Sequence, residues 1–333
     1  MMRVKIEDVC MKGSSNLKQS DVVGKNGIYP VYGAAGYLGS IDSFKQSKPY
    51  VAVVKDGAGI GRAMLLPSNS SIIGTMQYLL PKDNILPEYL YYLIKAKHLE
   101  KYYSGATIPH IYFKDYKNEE FDLFSFEIQY QIINKLKIIE KIIEKQKKEM
   151  DLLDELVKAR FVELFGDPII NDKGLITELL ANVSNLKAGK AIKTGELSEN
   201  NDTNSLFPCF GGNGIRGYIN RYTHDGTFPI IGRQGALSGN VNFAKGKFYA
   251  TEHAIVVTPK VELDDTWFFY CLKYLDLKRF QTGAAQPGVS VEKLNNISIP
   301  LPNYKSQLYF SDFVKEVDKS RFIIKSMIKE GLL

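Results

Sequence analysis

The histidines and cysteines are the side chains of this sequence best suited to metal binding or covalent catalysis. The histidines are His98, His110, His224 and His253. The cysteines are Cys10, Cys209 and Cys271. Neither set has the short spacing of a zinc site, and three widely separated cysteines make no disulfide framework. The sequence therefore predicts no metal site and no cofactor, and free cysteines are typical of a reducing cytoplasm.

Motifs for nucleotide chemistry are also incomplete. The glycine-rich run Gly57–Gly61 lacks the Gly-Lys-Ser/Thr of a phosphate-binding loop, and Asp56 lacks the Glu-x-Lys partner of a restriction nuclease. The Asn/Asp-Pro-Pro-aromatic motif of a methyltransferase is missing, since Pro302–Tyr304 has its letters in the wrong order. We predict that the chain is not an enzyme. A nuclease or methyltransferase, as the alternative, would need an acidic cluster or cofactor loop that the sequence lacks.

The composition of the chain is compatible with a globular protein that binds nucleic acid. The chain of 333 residues has a net charge of +6 and a pI near 8.9, which permits a nucleic-acid partner without requiring one. Hydrophobic residues at 44% and charged residues at 24% are typical of globular domains. No long apolar run and no signal-like start is present, so we expect a cytoplasmic protein without a membrane span.

The sequence contains an internal duplication. A shift of 178 residues aligns Asn26–Gln129 with the second half without a gap, and 20 of 104 positions are identical. The repeated residues are chiefly glycine, proline and aromatic, which set turns and fill cores. Gly57-Ala58, for example, meets Gly235-Ala236. We therefore expect one fold to occur twice.

Polar loop residues differ between the halves. Ser43 aligns with Arg221, and His110 aligns with Gly288. One scaffold with two different surfaces is what a reader of two different targets needs. An old duplication whose loops drifted explains the same pattern, and the duplication alone does not separate the two.

Basic, amide and tyrosine side chains in these loops are candidates for DNA contact, at phosphates for affinity and at base edges for specificity. In the first half they are Lys55, Arg62, His110, Tyr112 and Lys114. In the second half they are Arg216, Arg221, Tyr222, Arg233, Gln234 and Gln286. Lys55 and Arg233 are equivalent, which suits a shared phosphate contact, whereas base contacts are expected where the halves differ. For each, a merely solvated side chain is the competing interpretation.

Short strands and an aromatic-rich helix must position these loops in each half. Tyr50–Val54 and Ile255–Val257 have strand composition between glycine and proline signals. Pro87–Tyr103 is predicted to be a helix that begins at a proline. The expected fold is α+β, with two tandem homologous domains built from twisted or barrel-like sheets plus helices.

A long helix is predicted after each half. Residues 127–165 contain no glycine or proline before Gly166, and apolar residues recur in steps of four and three. The apolar seam of this helix is Ile132, Leu136, Ile139, Ile143, Met150, Leu153, Val157 and Leu164, and Gln146 and Arg160 are its polar exceptions. A shorter helix, 305–333, carries the seam residues Val314, Val317, Ile324 and Ile328. We expect the two to pair as an antiparallel coiled coil. Part of the longer helix would then have no partner within this chain. Either the chain is truncated, or another subunit covers the exposed part of the seam.

The order of domain, helix, domain, helix resembles the specificity subunits of type I restriction–modification systems. The residues that carry the resemblance are Gly105–Ile111, Gly283–Val289, Ile297–Pro302 with Gln307, and Leu164–Asp167. The resemblance covers nearly the whole chain. Each motif alone is weak, but their ordered repetition is specific.

The resemblance implies target-recognition domains at 1–126 and 166–304, separated by the spacer helices. It implies a non-catalytic subunit that reads double-stranded DNA in two short sequences separated by a fixed spacer. Its expected partners are two methyltransferase subunits and, in the full complex, restriction/translocase subunits. S-adenosylmethionine, Mg and ATP are expected only on those partners. The alternative is a coiled-coil scaffold with no DNA role, which would show no salt-dependent DNA binding.

Overall fold

The computed structural model describes residues 2–105, 108–199, 206–283 and 287–331. The chain forms two compact units, Met1–Ile143 (the first unit) and Glu144–Leu333 (the second unit). Both combine helices with mainly antiparallel sheets, which confirms the predicted α+β class. Among the described residues, no helix has the length and apolar character required to cross a membrane.

The first unit alternates short strands and helices. Its strands are β1 (Met2–Lys5), β2 (Cys10–Ser14), β3 (Tyr29–Gly33), β4 (Gly36–Ile41), β5 (Tyr50–Val54), β6 (Ala63–Leu66), β7 (Ser71–Ile72), β8 (Met76–Pro81) and β9 (Glu120–Leu123). Its helices are α1 (Ile6–Val9), α2 (Pro87–Ala96), α3 (Phe113–Tyr116) and the start of α4 (Phe126–Phe165). The sheets have the orders β2-β8-β5-β6, β4-β3-β7 and β1-β9. Strand β5, buried along its whole length, confirms the strand predicted at 50–54.

The second unit repeats this order. Its strands are β10 (Thr177–Leu179), β11 (Ser184–Ala188), β12 (Phe207–Gly211), β13 (Gly214–Ile219), β14 (His224–Gly232), β15 (Val241–Ala250), β16 (Ala254–Pro259) and β17 (Ser298–Pro300). Its helices are α5 (Leu180–Val183), α6 (Asp265–Tyr274), α7 (Val291–Asn295) and α8 (Tyr304–Gly331). Strand β15 covers the equivalents of both β6 and β7. It therefore joins two sheets into one of order β11-β16-β14-β15-β12-β13.

The predicted helix at 87–103 is shorter than expected. Helix α2 ends at Ala96, and His98 adopts a left-handed φ of 49° before a single 3₁₀ turn, Leu99–Tyr102. Asp276, the equivalent residue, has a φ of 47°. The left-handed residue stops the α-helix and directs Leu99 into the core, where it is fully buried. The apolar periodicity continues through this break, which is why the sequence pattern overestimated the helix.

A buried glutamine lies at the fourth position of each long helix. Gln129, fully buried, accepts a hydrogen bond from Leu86 N at 2.9 Å and donates to Phe124 O. Gln307 accepts from Asp264 N at 2.9 Å and donates to Pro302 O. These are the same contacts at an offset of 178 residues. The amide satisfies backbone groups that burial would otherwise leave unpaired, so this glutamine is a structural part of the repeat.

Aromatic packing joins the second half of α4 to α8 within the second unit. Phe161 is fully buried, and its ring lies 5.4 Å from Phe310 and 5.1 Å from Tyr274. Arg160 donates to Tyr309 on α8, and Arg321 of α8 contacts Asp154. Asp154, which comes before Arg160 on α4, contacts a residue of α8 that comes after Tyr309. These two helical segments therefore run in opposite directions.

The predicted seam only partly coincides with the buried face. Val157, Val314 and Val317 are buried, whereas Ile139 is 39% exposed. The remaining predicted seam residues, which are half-buried, are Ile132, Leu136, Ile143, Met150, Leu153, Leu164, Ile324 and Ile328. The deepest residues after Val157 are Phe161 and Phe165, which the heptad assignment missed. They face the globular core as well as α8, and that favours i, i+4, i+8 spacing over a heptad.

Glu119 gives the first unit a pH-dependent contribution to stability. Lys101 pairs with its carboxylate, Tyr102 donates to it at 2.6 Å, and Lys97 also pairs with it, which together lower the pKa of Glu119 to about 2. A lowered pKa stabilises the folded state above the ordinary carboxyl value, and the contribution is lost as the pH falls toward 2. We expect Glu119→Gln to cost about 1–3 kcal/mol at pH 7 and almost nothing near pH 2. Urea unfolding between pH 7 and pH 2 measures this cost, with Asp42→Asn at an exposed position as the control. An equal cost of Glu119→Gln at both pH values would contradict the prediction.

Candidate nucleic-acid interface

Each unit has a cleft at the same place in its fold. The first cleft, of about 520 Å³, is lined by Gln19, Gly33–Leu38, Asp56–Gly59, Arg62, Ile73 and Thr75. The second cleft, of about 480 Å³, is lined by Gly212, Asn213, Arg216, Gln234–Leu237 and His253. Shifted by 178 positions, every lining residue of the second cleft falls on one of the first. The duplication therefore repeats the concave surface as well as the fold.

Backbone hydrogen bonds from three segments build the first cleft. Lys55 N, at the end of β5, donates to Thr75 O at 3.0 Å, and Lys55 O accepts from Ile111 N at 3.0 Å. Gly57 N donates to Pro109 O at 2.9 Å. The loop after β5 is thereby held between the start of β8 and the segment before α3. Its side chains are carried on a rigid frame.

The second cleft has the matching frame. Gly235 N donates to Pro287 O at 2.9 Å, and Val289 N donates to Arg233 O at 2.9 Å. Arg233 N donates to His253 O at 2.8 Å. All three bonds are those of the first cleft moved by 178 residues. The clefts thus share a backbone, and side chains make most of the difference between them.

One repeated glycine explains the tight closure of this loop. Gly61 has a φ of 81°, and a Cβ placed there would lie 2.5 Å from Glu100 N. Gly239 has a φ of 82°, and its Cβ would lie 2.7 Å from Lys278 N. No side chain fits between the loop and the 3₁₀ turn behind it. The sequence predicted turns at Gly61 and Gly239, and the structure shows that these glycines also let the loop pack against the 3₁₀ turn.

Most of the polar candidates of the first unit are grouped around Asp56, which lines the first cleft. Asp56 accepts a hydrogen bond from His110 Nδ1 at 2.7 Å and pairs with Lys55 Nζ. The Tyr112 ring stacks near His110 at 6.2 Å, and the exposed Lys114 places Nζ 5.3 Å from the Tyr112 ring centre. Four of the five candidates therefore form one connected group. Asp56, which was not among the candidates, holds its centre.

An arginine lines each cleft. Arg62, exposed, donates to Ala34 O in the β3–β4 turn at 3.2 Å. Arg216, exposed on β13, runs so close to Gly211 that a Cβ there would lie 2.3 Å from Arg216 Cδ. The two arginines are not equivalent in the alignment. Each still presents a permanent positive charge to its cleft, which suits a phosphate.

Gln234 is the exposed amide of the second cleft. Its Oε1 accepts a hydrogen bond from Nδ1 of His253 at 2.8 Å. His253 lies in the loop between β15 and β16. Arg233 is half-buried and donates to Glu252 O at 3.4 Å. His253 was not among the candidates, although its alignment with Thr75 was a usable signal. It is a polar loop residue that differs between the halves.

Arg221 and Tyr222 lie away from the residues that line the second cleft. Arg221 pairs with Glu196 at 2.7 Å and places its guanidinium 5.4 Å from the Tyr249 ring centre. Tyr222, 46% exposed, packs edge-on against Phe207 at 5.1 Å. They form a separate polar–aromatic patch at the other end of the β12–β13 hairpin. Their DNA contact remains a prediction, and Gln286 lies outside the described residues.

The described residues show no group suited to metal or thiolate chemistry. Within 2–105, 108–199, 206–283 and 287–331, no three His, Cys, Asp or Glu residues are placed to hold a metal ion. Burial raises the pKa of the Cys10 thiol to about 12, and it also raises the pKa of Cys209 and Cys271. These thiols are therefore protonated at neutral pH.

Comparison with known proteins identifies a matching family. The family model described as "Type I restriction modification DNA specificity domain" matches residues 1–150 and 179–333. The EcoprrI specificity subunit of Escherichia coli is 40% identical over 139 residues, which is 42% of this chain and 35% of the relative. The MjaVIII specificity subunit of Methanocaldococcus jannaschii is 23% identical over 315 residues, 80% of this chain and 72% of the relative.

A solved structure shares the fold. The S subunit of a type I restriction–modification system from M. genitalium has a TM-score of 0.62 at 18% identity. The comparison covers 99% of this chain and 92% of that one. The match to the E. coli relative, by contrast, spans about a third of that relative's length.

Proposed function

The chain belongs to the type I restriction–modification DNA specificity domain family, and we propose that it is the non-catalytic subunit that reads the DNA target. Each unit would read one half-site of a bipartite sequence. The observation that carries this proposal is the duplicated cleft. Two clefts share a backbone frame but differ in their polar side chains, which is what two different half-sites require.

The long helices would set the distance between the half-sites. In this proposal α4 and α8 pair as an antiparallel coiled coil, and the domains are 1–126, 127–165, 166–304 and 305–333, as predicted above. Exposed apolar residues on α4, such as Ile138 and Ile142 at 57% and 50% exposure, would be covered by the methyltransferase subunits. S-adenosylmethionine, Mg and ATP would be bound by the methyltransferase and restriction subunits, in the cytoplasm.

Mapping methylated adenines in a host genome tests the proposal. The chain is co-expressed with its cognate methyltransferase subunit, and the same strain without the chain is the control. We expect a split motif with a fixed spacer that disappears when the chain is omitted. A continuous motif, or methylation that does not depend on the chain, would favour the scaffold without a DNA role.

The cleft arginines predict a measurable electrostatic signature. Arg62→Ala and Arg216→Ala should each weaken DNA binding by the assembled methyltransferase complex, at every sequence alike. Each should also reduce the slope of log Kobs against log salt concentration by about 0.9, the effect of one lost phosphate contact. Arg3, which is exposed and paired with Glu120 on β9, supplies Arg3→Ala as a control. Equal salt slopes for all three variants and the wild type would remove the arginines from the interface.

A further inference from the structure

We infer that Asp56 in the first cleft and Gln234 in the second are the side chains that read a base, an inference that rests on the proposed function. Asp56 would accept a hydrogen bond from the exocyclic amino group of cytosine or adenine in the major groove. Gln234 would make the paired amide contact to N6 and N7 of adenine. Where Asp56 reads cytosine, the two half-sites would differ at this position because the two side chains differ in chemistry.

Matching backbone hydrogen bonds flank both residues. Each follows the basic residue at the cleft rim, Lys55 or Arg233, and precedes a glycine that is held by the proline of the neighbouring loop. The basic residue keeps its charge in both units, so it suits the phosphate backbone that every target shares. The next position changes from a carboxylate to an amide on the same frame, so it is the position at which the targets can differ.

Asp56 has acceptor capacity left for one base. His110 Nδ1 binds Oδ1 at 2.7 Å, and Lys55 Nζ binds Oδ2. A carboxylate offers about four acceptor sites, so these contacts fix its orientation without exhausting it. Its side chain is 23% exposed and lines the cleft. Because an ionised carboxylate only accepts, it discriminates against the acceptor edges of guanine and thymine and favours an amino group.

Gln234 has the geometry of an adenine reader. Its side chain is exposed in the second cleft, and His253 Nδ1 donates to Oε1 at 2.8 Å. That hydrogen bond orients the amide. The carbonyl oxygen has two lone pairs, so it can also accept from adenine N6, while Nε2 donates to adenine N7. Asp56 cannot make this second contact, because a carboxylate has no donor.

The test is methylation mapping with variants of the assembled complex. Asp56→Asn adds an amide donor, so it should raise the preference for adenine over cytosine at a single position of one half-site by about 5- to 150-fold. Gln234→Glu should lower the adenine preference at a single position of the other half-site by a similar factor and raise that for cytosine. Gln46→Glu makes the same chemical change outside both clefts and should leave the motif unchanged.

The outcomes distinguish a failure of this inference from a failure of the proposed function. If the wild type gives no split motif, the proposed function fails. If the wild type gives one and both variants keep its base frequencies, the assignment of Asp56 and Gln234 is overturned while the function stands. Gln234→Ala, at an exposed site, guards against misfolding: it should melt like the wild type and relax one position only. Uniform loss of methylation by this folded variant would also overturn the assignment.

Discussion

Replacing Phe161 by alanine is expected to lower the free energy of unfolding of the second unit by about 3–5 kcal/mol. Phe161 is fully buried and makes edge-on contacts with the rings of Phe165, Tyr274 and Phe310 at 5.1, 5.1 and 5.4 Å. Truncation removes these contacts and leaves a cavity that rigid neighbours cannot close. Because the ring joins α4, α6 and α8, the loss falls on the packing of both long helices.

The chain contains one tryptophan, and it reports on this core. Trp267 is fully buried, 6.2 Å from the Phe165 ring, so its fluorescence during guanidinium unfolding follows the second unit. Phe322→Ala is the matched control, since this phenylalanine of α8 is 72% exposed and should change stability by less than about 0.5 kcal/mol. Similar costs for the two variants would mean that Phe161 does not join the helices as described.

The features that the sequence could predict are those with a local physical signature. Strand β5 was evident because Tyr50–Val54 is a continuous apolar run, and α4 because no glycine or proline interrupts it. The repetition of one fold was predicted by glycines and prolines that recur at a fixed offset. Each of these signals lies within a short segment, or within two segments related by duplication.

The features that the sequence could not predict depend on contacts between distant segments. In the sequence, Asp56 stands out only as a residue without the partners of a nuclease site. In the structure Asp56 lines the first cleft and contacts both His110 and Lys55. His253 lies beside Gln234 only because β14 pairs with both β15 and β16. Arg221 looked equivalent to the cleft candidates, but its pairing with Glu196 holds it elsewhere. Charge and loop position alone do not distinguish these cases.

Shortening α4 by one heptad should shorten the spacer of the methylated motif while both half-sites stay unchanged. Lys141–Lys147 lies between Glu140, which accepts from Tyr92 of α2 at 2.8 Å, and Leu153, whose carbonyl contacts Arg321 of α8. Deleting these seven residues spares both contacts and keeps the helical repeat nearly in phase. It removes about 10.5 Å of helix, so the spacer should lose up to about three base pairs.

The result depends on length alone if the helix acts as a ruler. Replacing Lys145, whose side chain is 79% exposed, and Lys147 by alanine changes the charge of the same segment without changing its length. That double variant should methylate the wild-type motif. The deletion variant should no longer methylate wild-type sites, because its two clefts cannot reach both half-sites at the original spacing. An unchanged spacer in the deletion variant would show that contacts outside α4 fix the distance, and the coiled-coil part of the proposal would then fail while recognition by the clefts could still hold.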